Sequence, residues 1–205
     1  MSPVRIYIEG GAKGKQNARP LRMAFSEWFR RALGRAPDQG GLTIVMSGGR
    51  HEAYKDFRKA LKIHKDSFCV LLVDSEELRT SGQTRWEQAQ TREGDNFVRP
   101  KGVTEEQLHF MVVMMETWLC ADLDALEAHF GPGFHRESIP RHVNLEEVDK
   151  PHIYSSLESA VRKTRFKEYK KGSHFTLLGK VSPELVMKRC PHAQVLVDLL
   201  RKKLS

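Results

Sequence analysis

The sequence predicts an α/β fold: a parallel sheet flanked by helices, followed by a helical C-terminal extension. Three observations carry that reading. Short β-rich apolar runs alternate with stretches of helical apolar spacing through the first third of the chain, the pattern of right-handed crossovers between parallel strands. The third run, Phe68 to Val73 (FCVLLV), is continuously apolar rather than alternating, as befits a strand buried on both faces. Acidic residues recur just past the ends of the apolar runs, at the edge where an open parallel sheet binds its ligands.

Val4 to Ile8 (VRIYI) is the first predicted strand, and it stops at Glu9-Gly10-Gly11. Leu21, Phe25, Trp28, Phe29, Ala32 and Leu33 recur at helical spacing and make one apolar stripe, with Gly34 as its stop. Leu42 to Met46 (LTIVM) is the second strand, ending at Ser47-Gly48-Gly49, and Tyr54, Phe57, Ala60 and Leu61 mark a second amphipathic helix. The third strand gives way to polarity at Asp74. Residues 77–106 are polar with scattered hydrophobes and read as a long loop with room for one short helix; a loop of that length in a compact domain is usually functional or disordered. Leu108 to Met115 (LHFMVVMM) is the fourth apolar run and ends at Glu116, and a helix from about Asp122 to Phe130 runs into Gly131-Pro132-Gly133. The remainder reads as helical, with Ser182-Pro183 as a cap and first-turn proline and Val195, Leu196, Leu199 and Leu200 as the stripe of a terminal helix. We therefore expect a catalytic domain over residues 1–143 and a basic helical extension over 144–205 packed on it.

Composition narrows the function. The 205 residues are 40% apolar and include ten Phe, which excludes a disordered chain. Three cysteines are too few and odd in number for a disulfide framework and fit a reducing cytoplasm. No stretch reaches the roughly 20 apolar residues of a membrane span, and the first residues lack a signal peptide's apolar core. The excess of 34 basic over 26 acidic residues gives a net charge of +8, which suits a polyanionic partner such as DNA or RNA.

Chemistry is concentrated in the acids. Glu9 ends the first strand, Asp74 and Glu76 follow the third, and Glu116 ends the fourth, so all four point toward the carboxyl edge of the predicted sheet. Taken singly, each is equally a helix cap or a solvated loop residue. Together they would repel one another and gain from a shared cation, and an oxygen-only set suits Mg²⁺ or Mn²⁺ better than zinc. Asp74-x-Glu76 has the spacing that puts two carboxylates on one side of an extended segment. Lys13, Lys15 and Arg50 lie just past strand ends, and Lys167, Lys170, Lys171 and His174 fall in the basic tail; these are the candidate phosphate contacts. Gly10 to Lys15 (GGAKGK) is one residue short of a P-loop and has Gln16 where the motif needs Ser or Thr, so nucleotide hydrolysis there is not expected. His109 and the Met residues of the fourth run are expected in the core.

A strand ending in Glu-Gly-Gly and a later strand ending in Asp-x-Glu resemble the toprim domain of topoisomerases, primases and OLD-type nucleases. The resemblance implies that Glu9 is the general acid or base and that Asp74 and Glu76 are metal ligands, with Glu76 replacing the family's second Asp. Gly49-Arg50 with Asp56-Phe57, the run Leu72 to Glu76, the run His109 to Asp122, Tyr169 to Phe175 and Cys190-Pro191 further resemble a bacterial toprim-like family of unknown function. Members of that family often sit beside ABC-type ATPases in loci that look like phage defence. The resemblance thus implies a Mg²⁺- or Mn²⁺-dependent nuclease, the effector of such a system with an ATPase partner. The alternative is a non-catalytic nucleic-acid-binding adaptor or regulatory subunit that retains the fold alone.

Overall fold

A computed structural model describes residues 2–11, 15–34 and 41–205, with the backbone alone for 15–17. Strands β1 (Val4–Ile8), β2 (Leu42–Met46), β3 (Phe68–Asp74) and β4 (Leu108–Met111) form a parallel sheet in the order β2-β1-β3-β4. Val4 lies opposite Leu42 on one side and Phe68 on the other. β4 is displaced along β3, pairing Leu108 with Leu71 and Met111 with Asp74. The chain thus leaves β1 toward β2 and returns across it to β3. The carboxyl ends of β1 and β3 flank the topological switch point, where α/β sheets place their ligands.

The helices are α1 (Lys15–Leu33), α2 (Arg50–Ile63), α3 (Arg85–Thr91), α4 (Glu116–Leu119), α5 (Leu123–Phe130), α6 (Lys150–Val161), α7 (Phe175–Leu178), α8 (Pro183–Arg189) and α9 (Pro191–Leu204). The α1 stripe is buried as its spacing requires, and Trp28 stacks on Trp118 of α4 at 4.8 Å. Each such side chain contributes about 1.5–3 kcal/mol by leaving water. Helix α2 buries Ala53, Phe57 and Ala60 against β3 and β1, while α9 lies against β4 and α7 against α1. Ser182 caps α8 by accepting the Leu185 N–H at 3.3 Å. All three cysteines are free and buried. Among the described residues no helix is long and apolar enough to cross a membrane.

Two expectations need correction. The fourth strand ends at Met111, not Met115. Val113 adopts a left-handed φ of 51° and turns the chain out of the sheet, its N–H donating to Ser75 Oγ at 2.8 Å. The apolarity of 112–115 therefore serves a buried turn, and Glu116 opens α4 instead of ending a strand. The basic run 162–171 is not helical; it passes between α6 and α7 as turns, with Lys167 at φ 60°. The 77–106 segment does contain the one short helix, α3, whose Thr84 and Glu87 form a reciprocal capping box. Trp86 and Phe97 anchor it in the core.

Candidate metal centre

Glu9 follows β1, and its N–H donates to the Leu72 carbonyl at 3.0 Å, extending the parallel ladder past the strand. The next residue must be glycine: Gly10 has φ 138°, and a Cβ there would lie 2.6 Å from Leu21 Cδ2. Asp74 is the last residue of β3, and its N–H donates to Glu9 Oε2 at 3.2 Å. Asp74 Oδ1 accepts the Met115 N–H at 2.8 Å, so the buried turn after β4 orients this carboxylate. Glu76 reaches the same place by an unexpected route. It is not extended; it takes φ 66°, and its N–H donates to the Val113 carbonyl at 3.0 Å. Two left-handed non-glycine residues joined by a hydrogen bond are strain concentrated beside the carboxylates.

Ligand oxygens of Glu9, Asp74 and Glu76 lie within 4.8 Å of one another. Glu116 is outside this trio but lines a small cavity, about 130 Å³, with Glu9, Asp74, Met115 and Lys171, a cavity that Glu76 does not line. Glu116 is buried; Tyr169 donates to its Oε1 at 3.4 Å, and its Oε2 has no partner. Burial pushes the carboxyls of Glu9, Asp74 and Glu116 upward, and Glu9 and Glu116 raise Asp74 further. Burial also acts upward on Glu76, but the ion pair with Lys150 outweighs it and holds Glu76 below the usual carboxylate range. Burial pulls the Lys171 ammonium down, and the facing Asp74, Glu116, Glu76 and Glu9 more than reverse that. These observations meet the requirements of a hard cation: oxygen donors, crowded negative charge, an unpartnered buried oxygen and room beside them. Mg²⁺ or Mn²⁺ fits the donor set, with Glu9, Asp74 and Glu76 as the residues that would hold it.

The basic candidates separate. Arg50, at the start of α2, clasps Asp95 with Nε at 2.7 Å and with Nη2, while Nη1 reaches the Asp74 carbonyl and Glu9 Oε2 at 3.5 Å. Arg92 supports the same Asp95 at 3.0 Å. Arg50 is thus a positioning residue for Glu9 and Asp74, its fork already filled, rather than an open phosphate contact. Lys171 lines the cavity, whereas Lys167 and Lys170 are exposed and do not, Lys170 pairing with Glu168 at 2.6 Å. His174 is buried away from solvent, its Nδ1 3.0 Å from His129 Nε2 and its ring stacked on Tyr169, so it is packed rather than presented to phosphate. Lys13 lies outside the described residues, and Lys15 opens α1 with its side chain likewise outside them. His109 is in the core, as expected. Sequence reasoning missed Asp95, Lys150 and Tyr169. Their partners lie 45, 74 and 53 residues away, and no local pattern announces such pairings.

The family model of a domain of unknown function, DUF4276, matches residues 23–201. That span contains Asp74, Glu76, Glu116 and Lys171, while Glu9 precedes it. No curated protein matches the chain. Among solved structures, the C-terminal region of the Burkholderia pseudomallei OLD protein is similar, with a TM-score of 0.56 and 13% identity over 100% of each chain. At that identity the likeness shows the fold, an α/β architecture with a parallel sheet flanked by helices.

Proposed function

The chain belongs to the DUF4276 family, and we propose that it is a divalent-metal-dependent phosphodiesterase acting on nucleic acid. One observation carries the reading: three carboxylates, Glu9 after β1 and Asp74 and Glu76 at the end of β3, converge within 4.8 Å at the switch point of a parallel sheet. Bound Mg²⁺ or Mn²⁺ there would neutralise charge developing on phosphodiester oxygens and make a water more acidic. The chain supplies the rest. Asp74 is fixed by the Met115 N–H. Glu9 is fixed by the Asp74 N–H and Arg50. Burial makes a charged Glu9 costly, a cost that a bound cation would offset. Lys171, kept charged by the carboxylates it faces, is the cation placed to meet a phosphate at the cavity mouth.

Incubation of the purified protein with DNA or RNA and Mn²⁺ tests this. Cleavage should fall by about 100-fold or more in Glu9→Gln and Asp74→Asn, with circular dichroism unchanged. Cleavage surviving both substitutions contradicts the assignment. The ABC-type ATPase partner belongs to the same proposal, and adding it should raise the rate.

A second reading has one observation in its favour. Glu9 and Glu76 already carry Arg50 and Lys150, as they would in an adaptor that keeps the fold without turnover. That protein would bind nucleic acid equally well in EDTA and show no heat with Mn²⁺.

A further inference from the structure

A basic surface that the candidate centre does not use lies along α2. Lys55, Arg58, Lys59 and Lys62 recur at the i, i+3, i+4, i+7 spacing of one helix face, and all four are exposed. Arg99 and Lys101, from the segment after α3, line a hollow of about 690 Å³ together with Arg58 and Lys62, and a second hollow of about 430 Å³ is lined by all four α2 cations. No carboxylate lines either hollow. Among the described residues none of the six cations is in an ion pair. Asp56, the acid in the middle of α2, lies near Tyr7 under the sheet side of the helix. Six cations held outside any ion pair in one place repel, and the surface gains from a partner that carries regularly spaced anions.

We propose that this face is the tracking surface for the sugar–phosphate backbone of a nucleic-acid duplex whose scissile strand enters the carboxylate centre. The inference rests on the phosphodiesterase reading and says which surface holds the substrate. One further observation favours a duplex over a single strand. Tyr54, the aromatic residue of the hollows, is already stacked on Phe97 at 4.3 Å and carries the Arg58 guanidinium 5.5 Å from its centroid. It is therefore not a vacant platform for bases, on which single-strand binding depends. The surface is also mechanically continuous with the centre. Phe97 lies 5.4 Å from the Arg50 guanidinium, and Arg50 holds Asp95, Glu9 and Asp74 together. At about 1.5 Å per residue, Arg58 is about 12 Å and Lys62 about 18 Å along the axis from Arg50. At about 3.4 Å per step of one strand, the contacts fall about three to five nucleotides from the cut.

The test is binding of a short fluorescent B-DNA duplex in EDTA as a function of salt. Six phosphate contacts predict a slope of log K against log salt near about −5. Replacing Lys55, Arg58, Lys59 and Lys62 by Ala should reduce it to about −2 and weaken binding by about 100-fold or more at low salt. An equal loss of charge at Arg22, Arg162, Lys163 and Lys202 should leave the slope unchanged. If both quadruple variants weaken binding alike, the attraction is diffuse and the surface assignment is overturned. Tighter binding of the matching single strand than of the duplex overturns it as well. If the wild type ignores DNA yet hydrolyses a small phosphodiester with Mn²⁺, the surface is refuted while the metal chemistry stands. If the predicted slopes appear but no metal cleaves the duplex, the surface stands and the phosphodiesterase reading fails.

Discussion

Asp74→Asn should make the metal-free protein more stable and abolish its response to metal. Asp74 is buried and its Oδ1 accepts the Met115 N–H, a bond the Asn carbonyl can keep. What the substitution removes is charge. At 4.8 Å, the outer limit of the cluster, two unit charges at an effective dielectric near 20 repel by about 3.5 kcal/mol. Arg50 and Lys171 offset part of this, leaving about 1–2 kcal/mol and, for a chain of this size, a rise in Tm of about 2–8 °C. Burial, with Glu9 and Glu116 adding, raises the Asp74 carboxyl in the fold. The folded state therefore holds its proton more firmly than the unfolded chain does, and stability is lost as pH rises through the folded value. The gain from Asn is thus largest on the alkaline side. Thermal unfolding at pH 8 in EDTA should show it, and Mn²⁺ at about 100 times its Kd should raise the wild type by about 2.7 kcal/mol and the variant by nothing. A variant less stable than wild type in EDTA, or one that keeps the Mn²⁺ shift, refutes the argument that crowded charge is what the cation relieves.

Arg50→Met leaves Asp95, whose side chain is 1% exposed, with Arg92 alone, and should lower stability in urea titrations by about 2–4 kcal/mol; an unchanged midpoint would remove Arg50 from its positioning role. Gly10→Ala forces a side chain to φ 138° and 2.6 Å from Leu21 Cδ2, so the same titration should show a loss of about 1–3 kcal/mol, and none would mean the turn after Glu9 is not built as described. Burial pushes the His109 imidazole down from 6.5 to about 3. The unfolded chain then takes up the proton first, so stability falls as pH drops below 6.5, by about 2 kcal/mol at pH 5. His109→Gln should flatten that limb of the pH–stability curve, and an equally steep limb in the variant would assign the effect to other groups.

What could be seen in the chain was local. The strands were legible because β1 to β3 are short apolar runs, each closed by a polar or glycine break. Glu9 and Asp74 were legible because those breaks begin with acids. Glu116 was legible as an acid near the centre, yet misplaced, because a buried turn such as 112–115 is as apolar as a strand. Glu76 was placed with Asp74 for the wrong geometric reason: its left-handed backbone is imposed by Val113, from a segment the local pattern does not connect to it. Arg50 looked like an open cation because Asp95, which fills its fork, lies 45 residues away in a polar stretch with no periodicity. The basic stretch 162–171 misled in the opposite way, since only Lys171 reaches the cavity.

Crystals grown with Mn²⁺ and measured for anomalous scattering test the central claim most directly. The account predicts one or two peaks bounded by the carboxylates of Glu9, Asp74 and Glu76, at about 2.0–2.3 Å from their oxygens. Diffraction data with no such peak, and with Glu9 and Glu76 still held by Arg50 and Lys150, would contradict it.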